Sequence, residues 1–219
     1  MIVKVNQITS AAEAERFANV DIAGFVVGES CSGRTIDADT YRHLRRRITG
    51  AASAHVVGGV HDTGTVAALI GSLAPDYLEF TVVDPEKRAA SEAQLEVLSR
   101  LEIPKIANGL FLLRDECSLL ARTAHLDTLM SVGVAFFQIE IDSLTDPANR
   151  ITTRNRAQIA DLCARYPVLV SDDFDVPYPN LGQRGVFLNL AAARDTNYDH
   201  SLRRRSPATG ARAIRNLAR

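Results

Sequence analysis

Ile2-Val3-Lys4-Val5-Asn6-Gln7-Ile8-Thr9-Ser10, at the start of the chain, decides how the fold is read. Its β-branched run predicts a short strand that stops in a polar turn. Thr9 or Ser10 then caps a helix through Ala11-Ala12-Glu13-Ala14-Glu15-Arg16-Phe17, since a short hydroxyl side chain accepts from the free N–H groups of a first helical turn. A strand passing straight into a helix is the unit from which parallel α/β folds are built. In a closed parallel barrel the residue at the C-terminal end of a strand faces the active site, and here that residue is Asn6.

The alternation continues along the chain. Apolar runs at 22–27, 54–60, 77–82, 103–107, 135–142, 168–171 and 185–190 are separated by helical patterns near 41–47, 66–73, 91–101, 115–124 and 154–166, with a last helix near 209–217. Eight strands in 219 residues predict one (β/α)8 TIM barrel spanning residues 1–219 as a single domain. A doubly wound open sheet is the competing arrangement, but no Gly-x-Gly-x-x-Gly loop follows the first strand. Element boundaries are least defined across 107–134.

Composition narrows the function. A chain that is 46% apolar can bury one good core. A net charge of −1 gives no electrostatic case for nucleic acid or an acidic membrane, and no apolar run approaches the ~20 residues of a membrane span. Cys31, Cys117 and Cys163 are odd in number and lack metal-ligand spacing. The N-terminus reads as a strand rather than a leader. These features predict a cytoplasmic protein, monomer or homodimer, that acts on a small molecule without a metal or cofactor.

The opening stretch resembles the V-K-I-C-G-I-T start of phosphoribosylanthranilate isomerases, with Asn6 at the family's cysteine and Gln7 at its glycine. Gly24-Phe25-Val26 followed by Ser32-Gly33-Arg34 and Ile36 is similar to the family's G-F-x-F and S-P-R-x-I. Ile139-Glu140-Ile141-Asp142-Ser143 is similar to its L-L-L-D-S. The resemblance implies a TIM barrel, an active-site arginine at Arg34 and a general-acid aspartate at Asp142. Other motifs depart from the family: Glu79-Phe80-Thr81-Val82 stands for Q-L-H-G, Ser171-Asp172-Asp173-Phe174 for A-G-G-L, and 189–193 for S-S-G-V-E.

The family's reaction is an Amadori rearrangement, which needs an acid at the sugar ring oxygen and a base at C2. Asp142 fits the acid, its pKa raised by neighbouring carboxylates such as Glu140, Asp172 or Asp173. Asn6 cannot take a proton near neutral pH, so it is assigned a polarising role, set against a plain turn residue. Arg34 presents a planar fork for a carboxylate or phosphate. Lys4 and Lys105 sit inside apolar runs, where pairing with Glu79 or Glu140 competes with Schiff-base chemistry. His55 and His61 are the histidines expected near the site.

These residues frame three hypotheses. The first is an isomerase-type acid–base enzyme with Asp142 and Asn6 catalytic and Arg34, Glu140, Asp172, Asp173 and Lys4 binding substrate. The second is a barrel that binds without catalysis. The third is a Schiff-base lyase or aldolase. Barrels of this kind hold phosphate on glycine-rich loops after the seventh and eighth strands. Asp172-Asp173 and Ala191-Ala192-Ala193 at those positions predict a non-phosphorylated substrate, or one whose anion goes to Arg34.

Overall fold

The computed structural model describes residues 1–28, 34–56, 59–112, 123–141, 153–171, 180–190 and 206–217. Nine strands are present among them: β1 Ile2–Asn6, β2 Ile22–Val27, β3 Thr35–Ile36, β4 Ala51–Val56, β5 Tyr77–Thr81, β6 Lys105–Leu112, β7 Val134–Ile141, β8 Val168–Ser171 and β9 Gly185–Asn189. The helices are α1 Ala11–Arg16, α2 Ala38–Arg45, α3 Thr63–Leu73, α4 Arg88–Ser99, α5 Thr123–Ser131, α6 Thr153–Arg165 and α7 Pro207–Leu217. All pairings are parallel. The order β1-β9-β8-β7-β6-β5-β4-β2 closes through β1–β2, and the two-residue β3 adds to the outside of that ring beside β2. This is the eight-stranded (β/α)8 barrel that the alternation predicts.

Closure rests on β1. It pairs with β9 from Ile2↔Gly185 to Asn6↔Asn189 and with β2 at Lys4↔Ile22 and Val5↔Ala23. Outward-facing Val5, Ala23, Phe25, Phe137, Val168, Val170, Val186 and Leu188 pack under the helices and are buried. Phe25 meets Tyr41 of α2 edge-on at 5.2 Å, and Phe137 meets Tyr166 at 5.8 Å. Four of the described helices start on side-chain caps, α7 among them, where Ser206 accepts from Thr209 N. Ser10 accepts from Glu13 N, Asp37 from Thr40 N and Asp62 from Thr65 N.

Three elements differ from the sequence reading. The strand expected at 54–60 lies at Ala51–Val56. Ala51, Ala52 and Ser53 are poor strand formers in isolation, but small side chains suit a strand enclosed by neighbours on both edges. The strand expected at 103–107 starts at Lys105 and runs on to Leu112. Asn108-Gly109 has the composition of a turn; instead the ladder shifts register between Ala107 and Leu110, with Gly109 at φ +75°. This bulge bends the strand without ending it. The helix α5 at Thr123–Ser131 lies in the stretch whose boundaries the sequence left open, and most of the helix expected at 115–124 falls outside the described residues.

Candidate active site in the barrel mouth

Along each strand every second residue points inward, and near the C-terminal ends many of these inward residues are polar. Lys4 is fully buried on β1, with Ser53 on β4, Glu79 on β5 and Gln138 on β7 around it. Lys4 Nζ donates to Glu79 Oε2 at 2.7 Å, to Gln138 Oε1 at 3.1 Å and to Asn6 Oδ1. All three ammonium hydrogens therefore have acceptors. Glu79 accepts four bonds: Lys4 and Ser53 Oγ at Oε2, Gln138 Nε2 and Asn108 Nδ2 at Oε1. A buried ion pair is tolerated when its remaining hydrogen-bonding capacity is filled in this way.

Burial alone would raise the Glu79 carboxyl. The charges of Lys4 and His55, with the Lys4 and Asn108 hydrogen bonds, outweigh it and hold the pKa at about 2. Burial pushes the Lys4 ammonium down from its ordinary value, and Glu79 opposes the shift.

Asn6 joins this interior to the rim. Its Nδ2 donates to Gln138 Oε1 at 2.9 Å and to Asn189 Oδ1 at 2.8 Å, and Asn189 Nδ2 donates to Glu140 Oε1 at 3.2 Å. Both N–H groups of Asn6 are thus engaged within the protein. Gly24 leaves room for the arrangement, since a Cβ there would stand 2.5 Å from Asn6 Oδ1 and 3.1 Å from Lys4 Nζ.

Above the network lies a cavity of about 510 Å³, open mouth included. Its polar lining includes Asn6, Gln7, His55, Asn108, Glu140 and Asn189, with Phe111 and Phe187 as apolar walls. No lysine or arginine among the described residues lines it. Asn108 Nδ2 stands 3.2 Å from His55 Nδ1, so the amide also steadies the imidazole at the cavity wall. No group of three or more His, Cys, Asp or Glu among the described residues is arranged to hold a metal.

The predicted site residues separate into three groups. Asn6 and Glu140 line the cavity, and Lys4 lies beneath its floor. Arg34 is buried on the outer side of the strand-end turn, where it donates to Gln7 O and to Glu13 Oε2 at 2.8 Å. Asp142, Asp172 and Asp173 lie outside the described residues, as do Ala191-Ala192-Ala193. Lys105 has partners other than the expected carboxylates. It opens β6 at the opposite end of the barrel and donates to Leu101 O and Ile103 O, because the first residue of a strand sits at the N-terminal rim. Of the two histidines, His55 lines the cavity, while exposed His61 does not.

Sequence reasoning passed over Gln7, Asn108, Gln138 and Asn189 as site residues. The available signal was polar residues two apart inside otherwise apolar runs: Lys4 and Asn6, Ser53 and His55, Glu79 and Thr81, Gln138 and Glu140.

The barrel is similar in fold to phosphoribosylanthranilate isomerases. The enzyme of that name from Pyrococcus furiosus superposes with a TM-score of 0.63 at 13% identity, covering 100% of both chains. That of Thermus thermophilus gives 0.61 at 14% identity, covering 100% of this chain and 98% of the other. A truncated 3-deoxy-D-arabino-heptulosonate 7-phosphate synthase from Thermotoga maritima gives 0.61 at 10% identity, covering 100% of this chain and 85% of the other. No family model matches the chain, and no curated protein matches it in sequence. These likenesses establish the barrel; the chemistry has to be argued from its residues.

Proposed function

We propose that this barrel is an isomerase-type acid–base enzyme acting on a small, non-phosphorylated metabolite. One observation carries the reading: Glu140 and His55, two groups able to exchange protons, line one cavity at the C-terminal ends of the strands. Glu79 is excluded from proton exchange near neutral pH because Lys4 and its other partners hold it as a carboxylate. An isomerisation of this class moves a proton from carbon to carbon or oxygen, with one group removing it and another delivering one.

In this proposal Glu140 is the base, taking over the part that the family's cysteine plays. His55 is the second group in the cavity able to exchange a proton, and Asp142, two residues beyond Glu140 in the chain, is the proton donor that the family resemblance implies. Asn6 positions Asn189 and through it Glu140. Arg34 acts by holding the turn at Gln7. Asp172-Asp173 and Ala191-Ala192-Ala193, in the sequence segments where barrels of this kind hold phosphate, support a substrate without one.

Turnover of a panel of aldoses, ketoses and aminosugars tests the proposal. Wild type should convert at least one member, and Glu140→Gln should abolish the conversion without loss of fold. A Glu140→Gln variant with full activity would refute the assignment. A barrel that binds without turnover is the second reading. It is favoured by Asn6, which stands at the cysteine position with both N–H groups engaged.

A further inference from the structure

The polar groups below the cavity floor are saturated, whereas two amide oxygens of residues at its wall are not. Gln7 is 3% exposed, and its Oε1 is buried with no hydrogen-bond partner. Asn108 Oδ1 is likewise buried and unpartnered, although Asn108 Nδ2 is held by Glu79 and His55. The orientation of the Asn108 amide is therefore fixed, because turning it over would set Oδ1 against the Glu79 carboxylate. Buried polar atoms without partners are uncommon, and each one costs stability.

Both residues also sit on irregular backbone. Gln7 is at φ +66°, a left-handed conformation unfavourable for a residue with a side chain, and Asn108 is at the bulge before Gly109. The Gln7 turn is actively held. Arg34 Nε and Nη2 donate to Gln7 O, and Glu13 Oε2 receives Arg34, Thr9 N and Thr9 Oγ1. A chain that maintains a strained turn in order to bury an amide without partners has placed that amide for something outside itself.

We infer that Gln7 and Asn108 are ligand-contacting residues, and that the cavity takes a small uncharged polyol or free sugar whose hydroxyl hydrogens go to Gln7 Oε1 and Asn108 Oδ1. This rests on the reading of the cavity as a substrate site. Both open groups are amide oxygens, which only accept, so they call for O–H donors such as hydroxyl groups. Phe111 and Phe187 give the C–H faces of such a molecule apolar walls. Among the described lining residues there is no lysine or arginine to bind an anion.

The test is titration of the protein with D-ribose, xylitol, D-ribose 5-phosphate and ethanolamine, read by NMR at the side-chain NH₂ signals of Gln7 and Asn108. D-Ribose or xylitol should shift both signals, and the phosphate ester should bind no more tightly. Tighter binding of D-ribose 5-phosphate or ethanolamine, or no response to either neutral probe, overturns the inference. Gln7→Gly is the second arm. It should weaken binding of the neutral probe at least tenfold while Tm stays level or rises by about 2–4 °C, because glycine relieves the left-handed turn. A fall in Tm, or unchanged binding, would make Gln7 structural and refute the proposal. Probe binding without turnover on any substrate would leave this inference standing and sink the enzyme reading. Turnover that depends on Glu140 but is indifferent to Gln7→Gly would do the reverse.

Discussion

Lys4 Nζ lies 2.7 Å from Glu79 Oε2 in the interior of the barrel, and both side chains are buried. Removing one partner would leave the other charged and buried. Lys4→Met and Glu79→Gln are each expected to lower unfolding free energy by about 3–5 kcal/mol, and the double variant should be more stable than either single. Urea denaturation of the four proteins measures this. Single variants within 1 kcal/mol of wild type would show that the pair does not hold the barrel.

The same pair predicts a pH dependence. The folded pKa of Glu79, about 2, lies below its ordinary value of 4.5. Unfolding therefore takes up a proton between those two values. The stabilisation is fully present above about 4.5 and is lost as pH falls toward 2. At about 1.4 kcal/mol per pKa unit it amounts to about 3 kcal/mol. Denaturation midpoints followed from pH 5 to pH 2 should drop more steeply for wild type than for Lys4→Met/Glu79→Gln. Parallel curves would contradict the assignment.

The strands and their order could be read from the sequence because parallel strands buried on both faces appear as apolar runs bounded by turns. Val168–Ser171 and Ile22–Val27 were located to the residue on that basis. Ala51–Val56 was displaced because neighbours, not propensity, make a strand of Ala-Ala-Ser-Ala. The site was legible only where a residue ended a strand, as Asn6 does, or followed a motif. Arg34 carried the motif, yet its partners are Gln7 O and Glu13, which lie 27 and 21 residues away in the chain. Local sequence cannot reveal such partners. Gln7 looked like an ordinary turn residue because its significance lies in its φ angle and its missing partner.

Gly24 faces Asn6 across the β1–β2 pair, and the space it leaves is already filled by Asn6 Oδ1. Gly24→Ala should cost about 1–3 kcal/mol through overpacking. In an Asn6→Ala background the same change should cost much less, since the obstructing oxygen is gone. Additive costs across the double-mutant cycle would mean that the two residues do not share the space.

Phosphoribosylanthranilate should be turned over slowly or not at all. Asn6 cannot serve as a base, and loss of a positioned base costs about 10²–10⁴ in rate. Robust conversion by protein free of host isomerase would remove the case for altered chemistry. Asn6→Cys is the corresponding gain-of-function test. Little rescue is expected, because the change also breaks the bonds to Gln138 and Asn189.

Arg34 distinguishes a clamp from an anion anchor. As a clamp it joins the carbonyl of the strained Gln7 to the Glu13 carboxylate, and both contacts lie within the protein. Arg34→Met would leave Glu13 largely buried without its cation, at an expected cost of about 3 kcal/mol. Arg34→Lys should recover only part of this. A lysine delivers a point charge, whereas the guanidinium fork bonds Gln7 O through both Nε and Nη2. An anchor would behave differently: both variants would keep their stability, and binding would weaken for anionic ligands only. The clamp predicts that binding of neutral probes weakens in step with stability, because the Gln7 turn loosens. Measuring Tm and D-ribose binding on both variants separates the two roles. Full stability in Arg34→Met would eliminate the clamp.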